Sequence, residues 1–329
     1  MSGLETVALS DVPFLALETL GGRHIGPLSF HDGKAWRLWI QTEPGRFFEM
    51  KGEPAEAAYF AVEPERSTDQ NRPLLDFLVQ RANYADLSPV TAAIQDDLLN
   101  LSAAVAKLDL IYAQADARNG ATRMAATEVE YILLVCRSLF DFIQEMSAKL
   151  WTRIRLLDPQ ARKTQLKTKF SDMVLTSGKP RSSEEIAARF HLPGALADAY
   201  ARHIPVFQGI RRLRDNLVHR GYALETIFRG ETGFLIGRKL GPFHLNVWHE
   251  DEIEPNDLAP LRPALGLIIH GTLAAGDDFA RTFQNTIQFP PETVPGMRLF
   301  TRGYFDAGWG ALLTDARDRQ GAGLTLTRE

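Results

Sequence analysis

Cysteine is nearly missing from this chain: one residue, Cys136, stands among 329. A lone thiol closes no internal disulfide and makes no zinc-binding cysteine pair, and its place on the apolar side of a helical pattern reads as a small core residue. Long apolar runs are missing too. The longest, 131–136 and 265–269, fall far short of the roughly 20 residues that span a bilayer, so no membrane is expected as a partner. The stretch from Met1 to Asp11 carries acidic groups and no basic-then-apolar order; no secretory signal is read there, and a reducing cytoplasm is the expected setting. Nor is there a strong charge of either sign. With 37 Lys and Arg against 41 Asp and Glu the net charge is −4, which argues against broad attachment to nucleic acid and leaves room for a local basic patch.

Several chemical signatures are absent as well. No Gly-x-Ser-x-Gly elbow occurs. Ser177-Gly178-Lys179-Pro180 holds a Gly-Lys pair without the earlier glycine and following hydroxyl of a phosphate-binding loop, and reads as a plain loop. His244, His249, Glu250, Asp251 and Glu252 offer metal-ligand chemistry, but strand alternation sets the two histidines on opposite faces, so an acidic strand end is the preferred reading. No metal and no cofactor is expected.

What is present is 45% apolar residues laid out in two periods. From 14 to 62 the pattern is short and β-like: Trp36-Arg37-Leu38-Trp39-Ile40 follows the turn signal His31-Asp32-Gly33-Lys34, and Phe47-Phe48 follows Pro44-Gly45. A polar link, 63–72, comes next. Ile94, Leu98, Leu101, Val105, Leu108 and Ile111 then recur at helical spacing and predict a long helix from 89 to about 118, closed by Asn119-Gly120. A second predicted helix, 121 to about 156, is apolar over much of its circumference. That predicts cover on two sides, by its own bundle and by a second domain or a dimer partner. Glu130, Arg137, Asp141 and Gln144 form a separate polar stripe on it, either plain helix-surface pairs or a source of a carboxylate that orients an arginine nearby. Ser182-Ser183-Glu184-Glu185 reads as a helix cap. Alternation after 223 predicts two or three antiparallel strands, Leu258, Leu261, Leu265, Ile268 and Ile269 predict a helix to about 287, and the remainder carries no clear period. The expected class is α+β: a β-rich region at 1–88, a mostly antiparallel helical bundle at 89–222, and a β-hairpin plus helix at 223–329.

The densest chemistry lies in Arg211-Arg212-Leu213-Arg214-Asp215-Asn216-Leu217-Val218-His219-Arg220-Gly221. Ile204, Phe207, Ile210, Leu213 and Leu217 make an apolar helical stripe, while Arg211, Asp215 and His219 step along a polar face at intervals of four. Gly221 supplies the stop, which sets His219 in the last turn, where the helix dipole favours the protonated ring and the acid role. Arginine offers a fixed cationic fork for a phosphate, and histidine exchanges protons near neutral pH, so the group suits phosphodiester chemistry without a metal. The plainer alternative is a set of solvated helix charges with His219 capping the last carbonyls.

Arg214-Asp215-Asn216-Leu217-Val218-His219, an Arg and a His separated by four residues near a helix end, resembles the ribonuclease motif of the HEPN domain family, over about residues 90–222. The resemblance implies a small helical bundle, a homodimer whose paired Arg/His sets face one cleft, and cleavage of RNA by attack of its own 2′-hydroxyl to leave a cyclic phosphate. A toxin or phage-defence setting is common among such proteins. On that resemblance Arg214 and His219 are the catalytic pair and Asn216 positions it, with Asp215 in support. Some members carry a Tyr two residues after the His; here that place is Gly221 and Tyr222 follows, a departure from the pattern in which Tyr222 remains a candidate supporting group. Arg211, Arg212 and Arg220 are the expected RNA contacts, with a second basic stretch, Arg153 to Lys169, as a track or simply a solvated face. The alternative function is a HEPN-like dimerisation or nucleotide-binding module that breaks no bond.

Overall fold

A computed structural model of the chain describes residues 5–115, 120–154, 163–219, 227–238 and 246–326, the side chains of 215–219 excepted. The chain opens with β1 (Val7–Ala8), β2 (Leu28–His31), β3 (Trp36–Glu43), β4 (Arg46–Met50) and β5 (Ala57–Ala61), then turns helical through α1 (Pro73–Gln80), α2 (Ser88–Ala113) and α3 (Ala121–Arg153). The short α4 (Phe170–Val174) leads into β6 (Leu175–Thr176) and β7 (Lys179–Pro180), followed by α5 (Ser183–Phe190), α6 (Gly194–Arg202) and α7 (Ile204–His219). Last come β8 (Phe228–Arg229), β9 (Phe234–Gly237), β10 (Leu258–Pro260), α8 (Leu261–Thr286), β11 (Arg298–Arg302) and α9 (Ala307–Gly321).

The fold is α+β. Its main sheet runs in the order β1-β4-β3-β2-β5-β11, antiparallel except where β2 meets β5. Asp32 sets the β2–β3 turn: its Oδ1 accepts the N–H groups of Lys34 and Ala35, and those bonds hold its carboxyl below the usual range. One face of the sheet buries Phe30, Trp39, Phe47 and Phe60 in the same core as Leu75, Phe77 and Leu78 of α1. The other face carries a smaller cluster, Trp36, Tyr59, Ala61 and Phe300. Alternation along β5 does the sorting, because successive side chains leave a strand on opposite sides.

β11 was not expected from the sequence, and it ties the last region to the first: Leu299 pairs with Phe60 and Arg302 with Ala57. Arg302 then closes the outer face. Its side chain is 1% exposed and binds Asp69 at 2.8 Å, Glu53 at 3.0 Å and Glu65, while its guanidinium lies 4.5 Å from the centre of the Trp36 ring. The Tyr59 hydroxyl donates to Asp69 Oδ2 at 2.6 Å. Burial opposes the Arg302 charge, but the bonds to Asp69 and Glu65 outweigh it and hold the pKa above its ordinary value.

α2 and α3 form the long antiparallel pair, with Gly120 at φ 90° entering α3. The two-sided cover expected for α3 comes from α2 and from α7 and α8, so the chain itself supplies it. The capping box at Ser182 is formed, its side chain accepting from Glu185 N while Glu185 answers to Ser182 N. Ser177-Gly178 is the turn of the β6–β7 hairpin, both residues at positive φ. The small sheet β10-β9-β8 takes its third strand from 258–260; His244 lies outside the described residues and His249 is exposed.

Between α2 and α3, Asp97 is mostly covered, and its Oδ2 has no hydrogen-bond partner. Burial, reinforced by Asp96 and only partly offset by the Ser138 hydroxyl, pushes its pKa up to about 6. A raised carboxyl pKa means the native state keeps a proton that the unfolded chain releases, so this contribution to stability is lost as pH rises past about 6. Asp97→Asn is therefore expected to raise the melting temperature at pH 7.5, by on the order of 1 kcal/mol of stability, with the gain fading towards pH 4. Thermal unfolding of both proteins across that range checks it; a constant difference at every pH would rule out the charge as the cause.

Candidate active site at the end of helix α7

α7 runs as one uninterrupted helix from Ile204 to His219, the last described residue before 227, so the whole Arg214–His219 motif lies on it. Its start is pinned to α8. His203 Nε2 lies 2.8 Å from Asp278 Oδ2, which also accepts from Arg202 Nη2 at 2.9 Å, and a Cβ on Gly271 would stand 3.0 Å from Val206. These contacts descend α8 as α7 ascends, which makes the two helices antiparallel. Phe207 meets α3, with the Phe140 ring centre 5.5 Å away and the Arg137 guanidinium 4.8 Å above its face. Ile204, Phe207, Ile210 and Leu213 are buried, as the apolar spacing predicts.

Helical phase decides how the candidate residues relate. Arg214 falls four residues after Ile210 and seven after Phe207, about 40° and 20° away around the axis, so it belongs to the inward row and is half-buried. Position 219 falls about 140° from position 214 and about 20° from Arg212, which is exposed. On a regular helix, the Arg/His pair of one chain therefore starts from opposite sides of α7. Arg212 and positions 215 and 219 share the outer row, with Arg211 half-buried between the two. Side-chain positions of Asp215, Asn216 and His219, and the whole of Arg220 and Tyr222, lie outside the described residues.

The polar stripe on α3 is occupied as follows. Asp141 Oδ2 pairs with Arg137 Nη1 at 2.7 Å. Gln144 is fully buried, donating to Lys167 O at 2.6 Å and accepting from the Tyr200 hydroxyl at 2.8 Å, so it braces the core and has no route to Arg214. Glu130 is half-buried, two turns before Arg137 on α3.

Of the second basic stretch, Arg153 pairs with Asp86 and Lys163 donates to Thr152 O and Ile154 O, while Lys167 and Lys169 are exposed. Sequence reasoning missed the His203–Asp278 contact, because its partners lie 75 residues apart. Burial outweighs the pull of Asp278 and lowers the His203 pKa, and the contact clamps the α6–α7 joint to α8. Among the described residues no group of three or more His, Cys, Asp or Glu is placed to hold a metal, and no helix is long and apolar enough to cross a membrane. Comparison with protein-family models, with curated proteins and with solved structures finds no match.

Proposed function

We propose that the protein is a metal-independent endoribonuclease whose reaction centre forms at the C-terminal end of α7. The observation that carries this reading is the helix itself: it runs unbroken through the motif to position 219, with Arg211, Arg212 and Arg214 in the turns just before it. His219 would serve as acid or base for the 2′-hydroxyl or the leaving 5′-oxygen, at a helix end whose partial negative charge favours the protonated ring. Arg214 would take up the charge of the crowded phosphorane-like transition state, and Arg212, in phase with position 219, would hold the incoming phosphate. Since positions 214 and 219 start from opposite sides of α7, the reading asks for a homodimer in which one copy's Arg214 works with the other copy's His219. On this view the helices α2, α3 and α7 belong to a HEPN-like bundle.

A second reading has one observation in its favour. Arg214 is half-buried in the inward row of α7, where it would serve the packing of the helix and leave a phosphate-binding end that breaks no bond. Gel-resolved cleavage of a mixed RNA in EDTA, with wild type, His219→Ala and Arg214→Ala, separates the two. Cyclic phosphate ends made by wild type alone support the nuclease, and intact RNA with every folded protein supports the binding module.

A further inference from the structure

Protein interiors rarely leave voids larger than a water molecule. Between α2, β9, α8 and α9 there is a hollow of about 260 Å3 whose walls are mostly apolar. Val105, Leu108, Phe234, Leu265 and Leu312 line it, each less than a tenth exposed. The hollow has a cause in the sequence. Gly266 brings α8 against α9, where a Cβ would stand 3.0 Å from Leu312 Cδ1, while the Tyr112 and Phe234 rings, nearly perpendicular at 5.4 Å, join α2 to the β8–β9 hairpin.

Charge at the rim is already matched. Arg262 gives Nη1 to Asp109 at 2.5 Å and Nη2 to Gly308 O at 2.9 Å, and Glu252 takes two N–H groups of Arg319. The Tyr112 hydroxyl donates to backbone carbonyls of 230 and 231. No ionic head group is called for. A dry apolar cavity of about 150 Å3 holds a benzene-sized guest, so this one has room for two fused rings.

We infer that this hollow is a binding site for a small, neutral, planar aromatic molecule, of indole or naphthol size, with its flat face against the Tyr112–Phe234 corner and the Arg262–Asp109 pair over the entrance. The site stands apart from the α7 residues and does not depend on RNA cleavage.

The test is titration of the protein with the fluorescent two-ring amine 1-aminonaphthalene, followed by displacement with 2-naphthol or indole. Saturable fluorescence gain, displacement, and slower amide exchange at 105–112 and 232–235 with 2-naphthol bound are expected. Val105→Phe and Leu312→Phe each fill the hollow and are expected to weaken the dye at least tenfold at an unchanged or higher melting temperature. Absence of saturable binding overturns the assignment, as does undiminished binding in a filled variant that melts like wild type. Should both variants unfold, the exchange pattern of the wild type decides: protection elsewhere, or none, overturns it equally.

Discussion

Arg302→Ala is expected to lower stability by about 3–5 kcal/mol, the loss typical of removing one partner from a buried ionic group. Arg302 is 1% exposed in its side chain and Asp69 2%. Truncating the arginine leaves the Asp69 carboxylate in a dry site with the Tyr59 hydroxyl and the Arg66 N–H as its remaining donors. It also strips the cation from the face of Trp36. Arg302→Lys is expected to recover only part of the loss, since an ammonium cannot span Asp69, Glu53 and Glu65 with a planar fork. Glu53→Gln, at a partner that is 48% exposed, should cost less than about 1 kcal/mol. Urea unfolding of the three variants gives the comparison. If Arg302→Ala and Glu53→Gln fall within error of each other, the cluster is decorating the sheet and does not hold it.

His219→Ala and Arg214→Ala are each expected to lower RNA cleavage by about 10²- to 10⁴-fold, the range for loss of an acid-base group or of a charge that meets the transition state. Mixing the two inactive proteins is the more telling experiment. If Arg214 of one copy works with His219 of the other, a mixed dimer keeps one intact site of two. Random exchange places half the dimers in that form, so about a quarter of wild-type activity should return. A pair that acts within one chain regains nothing on mixing. Far-ultraviolet circular dichroism on the single variants shows whether Arg214→Ala loosens α7, which a packing role would produce and a purely catalytic one would not.

The long helices could be read from the chain because each buries a face at the period of its own backbone: Ile94, Leu98, Leu101, Val105 and Leu108 are spaced as they are packed. The cap at Ser182 and the turn at Asp32 were legible for the same reason, being settled by neighbours within three residues. β11 was not. Arg298–Arg302 becomes a strand through a partner more than two hundred residues earlier, and its terminal arginine is buried only because Asp69, Glu65 and Glu53 converge on it. The Arg214/His219 spacing was visible at once, whereas its consequence depended on the helix running unbroken through 219, which fixes the phase between the two positions. The hollow has no sequence signature at all; its walls come from α2, β9, α8 and α9, elements that meet only in the fold.

The sheet that joins both ends of the chain also sets an order of events at the ribosome. β5 is complete by residue 61, yet the strand that covers its outer edge is made only at 298–302. Until then the emerging protein carries an unpaired, apolar strand edge, and α1 waits for the same strand and for α8. Closing a loop of that length is slow, and intermediates that expose such an edge pair readily with one another. Chains stopped before residue 298 should therefore accumulate in aggregates, while chains that carry 298–302 leave this vulnerable period once that strand has paired.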